Sequence, residues 1–147
     1  MGKRLLQTFG PSLILFLVVL FFRFKNPFWV LFFGFGGVVG TFITDIEKAV
    51  SVKLETNSHI FHSYLFQVIF LVLTFYVLTS TGSALASGVS LFAYLQILKD
   101  QVADLSAKNM QSWGGFFGLV VPEKFQSYWV GGGILVFMYF FLTVIRG

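Results

Sequence analysis

The chain has 147 residues, 56% of them hydrophobic and only 11% charged, with 21 phenylalanines and a formal net charge of +4. Its mean hydropathy is +0.85. Soluble domains carry roughly 25% charged residues, so the composition argues against an ordinary soluble domain and predicts an all-α integral membrane protein. Cysteine is absent, which excludes a disulfide framework, a thiolate nucleophile and a Cys-based zinc site. No basic stripe or Arg-rich segment is present, so a nucleic-acid partner is not expected.

Five apolar segments follow in order, within one expected domain over residues 1–147. Helices are the default, because an open sheet edge cannot face lipid. The first segment, Leu5 to Phe22, follows Lys3-Arg4 and is weakened by Gln7, Gly10 and Pro11. No small-x-small cleavage site precedes Arg23-Phe24-Lys25, so it reads as an uncleaved anchor rather than a signal peptide. Its most apolar stretch, Ser12 to Phe22, is short for an upright crossing. The expectation is therefore a compact bundle of about five transmembrane helices, or four if the first segment is re-entrant. The remaining spans are Pro27 to Thr44, Ile60 to Ser80, Ala84 to Asp104 and Tyr128 to Ile145. Each is close to the ~20 residues that a helix needs to cross the hydrocarbon layer.

Within these spans, Gly34, Gly36, Gly37 and Gly40 make a small-residue face on the second, and Gly131 to Gly133 do so on the fifth. Such faces suit close helix packing within the chain, with a second copy or with a membrane partner. A phosphate-binding loop would need a strand–loop–helix setting that an apolar span lacks. The fourth span carries Ser87, Ser90, Gln96, Lys99 and Asp100, and neighbours should shield it. Thr79 to Ser83 reads as a polar turn with capping hydroxyls. The connection from Leu105 to Ser127 carries Trp113, with Tyr128 just beyond it, and reads as an interfacial loop lying on lipid headgroups.

Basic residues in short loops set the orientation. With the N-terminus in the cytoplasm, Lys3, Arg4, Lys48, Lys53, Lys99, Lys108 and Lys124 lie inside and outnumber Arg23, Lys25 and Arg146 outside. This count predicts the N-terminus in and the C-terminus out, and the expected location is a plasma membrane, of a bacterium. The same count brings three polar clusters to the cytoplasmic face: Asp45 and Glu47, His59 and His62, and Gln96 and Asp100. Ionisable groups in or beside membrane spans are costly, and they point to function by default. Carboxylates and imidazoles suit a divalent metal such as zinc, manganese or iron. The bland readings are solvated interfacial residues for Asp45 and Glu47 and a headgroup-level histidine for His59. Transport through an intramembrane carboxylate would call for broken helices or inverted repeats, and neither is visible.

The stretches "GTFITDIEKAV", "NSHIFHSYLFQ", "GVSLFAYLQILKDQVADL" and "WGGFFGLVVPEKF" resemble, in order, the motifs of the membrane-bound, metal-dependent hydrolase family sometimes described as LexA-regulated. The likeness runs from about Gly40 to Pro122. It implies metal binding by Asp45, Glu47, His62 and Asp100, with His62 as ligand or base and Gln96 orienting a ligand or water. The pattern departs at Thr44, Lys48, Asn57 and Gln96, where the family has Pro or His. Two functions are therefore open. One is a divalent-metal hydrolase acting on a lipid or lipid-linked phosphoester; the other is a non-catalytic scaffold or accessory subunit that keeps the family's frame.

Overall fold

The computed structural model describes residues 2–53, 63–114 and 118–146, with side chains except at 2–9, 44, 45 and 47–53. These residues form five α-helices and no strand: α1 (Gly2–Phe22), α2 (Pro27–Lys53), α3 (Tyr64–Tyr76), α4 (Ala84–Ser106) and α5 (Glu123–Arg146). A π-helical turn, Val77–Thr81, prolongs α3, and a 3-10 turn, Met110–Gly114, follows α4. The first segment is thus one helix of 21 residues running through Pro11. Two helical stretches are long and apolar enough to cross a membrane, Tyr64–Thr81 and Glu123–Arg146; Gly10–Phe22 and Pro27–Ile43 are shorter apolar stretches.

Local chemistry sets the helix ends. Pro27, whose missing N–H costs nothing at a first helical position, opens α2, and the Asn26 side chain accepts from Trp29 N at 3.3 Å. Ser63 caps α3 by accepting from Phe66 N, and Ser83 caps α4 by accepting from Ala86 N. Between them Gly82 turns left-handed at φ +60°, a conformation that costs glycine little. The Thr79 and Thr81 hydroxyls donate back to the Phe75 and Val77 carbonyls, and Thr81 Oγ1 also accepts from Ser83 N at 3.3 Å. Arg23 ties the far end together. Its Nε donates to Val144 O at 3.0 Å, favourable at a helix C-terminus, and its guanidinium lies 4.8 Å from the Trp29 ring centroid.

Helix α4 occupies the centre. It is the most polar of the five, yet its burial extends around the whole helix, from Ser87 to Gln101. Its closest neighbour is α2. A Cβ at Gly36 or Gly40 would collide with the Leu85 or Val89 carbonyl, and one at Gly88 with the Phe33 carbonyl. Each glycine Hα therefore points at a carbonyl oxygen, the geometry of weak Cα–H···O bonds. Gly34 instead meets Phe16 of α1. Gly131 and Gly132 of α5 have no neighbour at the Cβ position, and only Gly133 packs inward.

These contacts also fix direction. Position 36 meets 85 and 40 meets 89, so α2 and α4 run parallel. Ser12 meets Thr41 and Gln67 meets Gln101, while Trp129 meets Gln67 and Gly133 meets Tyr94. Helices α1, α3 and α5 therefore run opposite to α2 and α4. The outer surface is rich in apolar side chains, with Phe21 79% and Phe28 77% exposed, whereas Ser12, Thr41, Gln67, Gln96 and Gln101 are buried.

Trp113 corrects one expectation. It is fully buried and does not lie on an outer surface: its ring packs near Tyr64 and its Nε1 donates to Asp104 Oδ2 at 2.8 Å. The 3-10 turn tucks it under α3, where Tyr64 OH donates to Met110 O.

Bulk at Gly40 has nowhere to go, because the obstacle is backbone. Gly40→Leu should lower stability by at least the ~1–3 kcal/mol typical of overpacking. Gly132→Leu, into open space, should stay within about 0.5 kcal/mol of the parent. Thermal unfolding followed by helical circular dichroism in detergent reads both; equal effects would refute the packing assignment.

Candidate functional site

The polar residues of the interior gather toward one end of the bundle, where α1, α3 and α5 begin and α2 and α4 finish. On one side of α4, Gln67 and Gln101 face each other as a reciprocal amide pair. Gln67 Nε2 donates to Gln101 Oε1 at 3.0 Å, and Gln101 Nε2 donates to Gln67 Oε1 at 2.6 Å. Trp129 Nε1 adds a 2.7 Å bond to Gln67 Oε1. Gln67 also bonds to the Tyr94 side chain, whose OH donates to Gly133 O at 3.3 Å. Gln67 and Gln101 are 2% and 0% exposed, so an unpaired amide here would be costly. None is unpaired.

On the opposite side of α4, Gln96 Nε2 donates to Ser12 Oγ at 3.1 Å, and Lys99 Nζ donates to Gln96 Oε1 at 2.9 Å. Ser12 lies 3.5 Å from Thr41 Oγ1, which donates in turn to Gly37 O. The chain links α1, α2 and α4. Among the described residues, Thr74 Oγ1 is the only buried side-chain polar atom left without a partner.

The residues singled out from sequence fall as follows. Gln96 is buried and bonded as above. Asp100 is half-buried on α4, one turn beyond Gln96. Asp45 and Glu47 lie on α2, four and six positions beyond Thr41; their side chains fall outside the described residues, as do His59 and His62 entirely. Thr41 and Gln96 meet through Ser12, and Asp45 and Asp100 each follow by four residues. The parallel course of α2 and α4 therefore carries both backbones ~6 Å further toward the same end. His62 immediately precedes Ser63, the cap of α3, and α3 begins at that end too. Among the described residues no three His, Asp or Glu side chains cluster closely enough to hold a metal.

Two hollows adjoin these networks. One of about 280 Å³ lies between α3 and α5 beside Gln67, Tyr94 and Trp129. The other, about 420 Å³, lies between α1 and α2, with Ser12 and Thr41 among its lining and Phe92 of α4 behind it. Sequence reading missed Gln67, Gln101 and Trp129. A glutamine within "YLFQVIF" was the available sign, since a polar side chain in an apolar helix needs a partner on a neighbouring one. Comparison with family models, with curated proteins and with solved structures gives no match.

The amide pair should behave as a coupled unit. Gln101→Leu alone removes both amide–amide bonds, leaving Gln67 with Trp129 and Tyr94, and should cost about 1–3 kcal/mol. Gln67→Leu with Gln101→Leu should cost clearly less than the sum of the single changes. A double-mutant cycle from denaturation in detergent gives the coupling, and additivity of the two costs would contradict the pairing.

Proposed function

We propose that this chain is an integral membrane protein of five spans, with its N-terminus in the cytoplasm. Near the inner leaflet it carries a polar site that binds a divalent metal and hydrolyses a lipid or lipid-linked phosphoester. The membrane reading is supported by the inverted distribution of side chains. Many large apolar side chains, Phe21, Phe28, Leu31 and Leu135 among them, are more than half exposed, as expected of a surface that meets lipid or a partner, while the interior is knit by glutamine and hydroxyl bonds, as bilayer proteins use them. The site reading is carried by helix direction: α2 and α4 finish, and α3 begins, at one end.

The donor set fits a metal of zinc, manganese or iron type: carboxylates from Asp45, Glu47 and Asp100 and an imidazole from His62. Bound among them, such an ion would polarise a phosphoryl oxygen and lower the pKa of water. The chain's own residues have the remaining tasks. His62 takes up or holds a proton beside the site, and Gln96, fixed by Ser12 and Lys99, holds the α4 side of the site in place. The order of motifs from Gly40 to Pro122, resembling the membrane-bound metal-dependent hydrolases, points the same way.

One observation favours a second reading, a non-catalytic scaffold or accessory subunit. Gln96 stands at a position where that family has a histidine, and its amide is engaged at both ends, linking α4 to α1 through Ser12 and holding Lys99 of its own helix. A partner could then sit on α5, where Gly131 and Gly132 face open space.

Elemental analysis of detergent-purified protein separates the two. The hydrolase reading expects about one metal ion per chain, lost in Asp100→Ala and in Asp45→Asn with helicity unchanged, together with phosphoester cleavage that chelators abolish. Folded parent protein without metal would reject it and leave the scaffold.

A further inference from the structure

The hollow between α1 and α2 is a groove with a distinct polar end. Its walls are Leu13 and Phe16 of α1 and Leu31 and Val38 of α2, with Gly34 and Gly37 also in the lining. At about 420 Å³ it falls within the ~300–1,000 Å³ of small-molecule sites, and the hollow beside Gln67 does not. The lining is almost wholly apolar apart from Ser12 and Thr41. Those two mark the end toward which the polar clusters gather.

A cation stands just behind that end. Lys99 Nζ is bonded to Gln96 Oε1, and Gln96 is bonded to Ser12, so the ammonium is two hydrogen bonds from the groove. Its partner is a neutral amide; no ion pair to it forms among the described residues. A half-buried ammonium near an apolar groove, met among the described residues by an amide alone, is incompletely neutralised by them. The groove takes an alkyl chain and the lysine takes an anion, in the order in which a phospholipid presents them. Positions Lys3 and Arg4, in the first turn of α1, lie at the same end.

We propose that the α1–α2 groove holds one acyl chain of an anionic phospholipid, with its phosphate drawn to Lys99. This rests on the membrane reading above and is independent of the metal. It also names a substrate class for the neighbouring site: a lipid so held would bring its phosphoester to the end of the bundle where Asp100 lies.

The full chain is reconstituted in nanodiscs of equal phosphatidylglycerol and phosphatidylcholine, then released and examined by native mass spectrometry. The parent should keep one phosphatidylglycerol with about fivefold preference, roughly the effect of one basic side chain at an anionic surface. Lys99→Gln should bring that preference close to parity. Val38→Trp, at an exposed groove wall, should displace both lipids; Leu13→Trp on the facing wall is the replacement if the first variant unfolds. Metal content should stay at the parent level in Val38→Trp and Leu13→Trp, whose side chains lie on the groove walls. A parent without preference, or Lys99→Gln and groove-filling variants that retain lipid like the parent, overturns the proposal. A chain stripped from membranes by alkaline carbonate would instead sink the membrane reading itself.

Discussion

Close approach of α2 to α4 is the contact on which the architecture depends. Gly36, Gly40 and Gly88 let two helix backbones touch where any Cβ would strike a carbonyl. In the bilayer proposed for this chain, burial of Leu or Phe would give helices little reason to associate, and intimate van der Waals contact with weak Cα–H···O bonds would take over that task. Because the pair is parallel, α3 must return the chain between them. That return brings the finish of α2, the start of α3 and the finish of α4 to one end.

Polarity then follows from position. Helix α4, buried around its circumference, is where polar side chains can be placed, and Gln96 and Gln101 find partners in Ser12 and Gln67 on neighbouring helices. The Gln67–Gln101 pair and the Ser12–Gln96–Lys99 chain sit on different faces of that helix. Together they link α4 to α1 and α3, and Trp129 brings in α5. Low dielectric makes such bonds strong and makes an unmatched group expensive. Networks of this kind specify one packing over its alternatives. At their margin, where Lys99 and Asp100 follow Gln96, charge begins, and the proposed chemistry lies there.

Much of the frame could be read from residues alone. The glycine face of α2 was legible because small residues at helical spacing have one economical use, and the shielding of α4 because its polar side chains need cover. Element ends were less so. Counting apolar residues measures the thickness of a bilayer, not the length of a helix, so α2 was expected to stop at Thr44 although it continues to Lys53. Likewise α3 starts only at Tyr64, where Ser63 supplies the cap, and not at Ile60. Trp113 was placed on headgroups by its residue type; its actual site is set by Asp104 and Tyr64, a tertiary contact that no local pattern encodes. Gln67 was passed over for a related reason: a lone amide looks accidental until its partner is known. Of the candidate site, sequence supplied the residue types and the shared end. It could not show that Gln96 is tied to Ser12 and Lys99.

The central claim is geometric: parallel packing of α2 and α4 puts positions 45 and 100 at the same level. The chain has no native cysteine, so oxidative cross-linking of paired cysteines tests it directly. Asp45→Cys with Asp100→Cys should form an intramolecular disulfide in membranes under mild oxidant, whereas Asp45→Cys with Leu85→Cys, at the opposite end of α4, should not. Cross-linking of the second pair in place of the first would mean that the two helices run antiparallel, and the shared polar end would be lost with them.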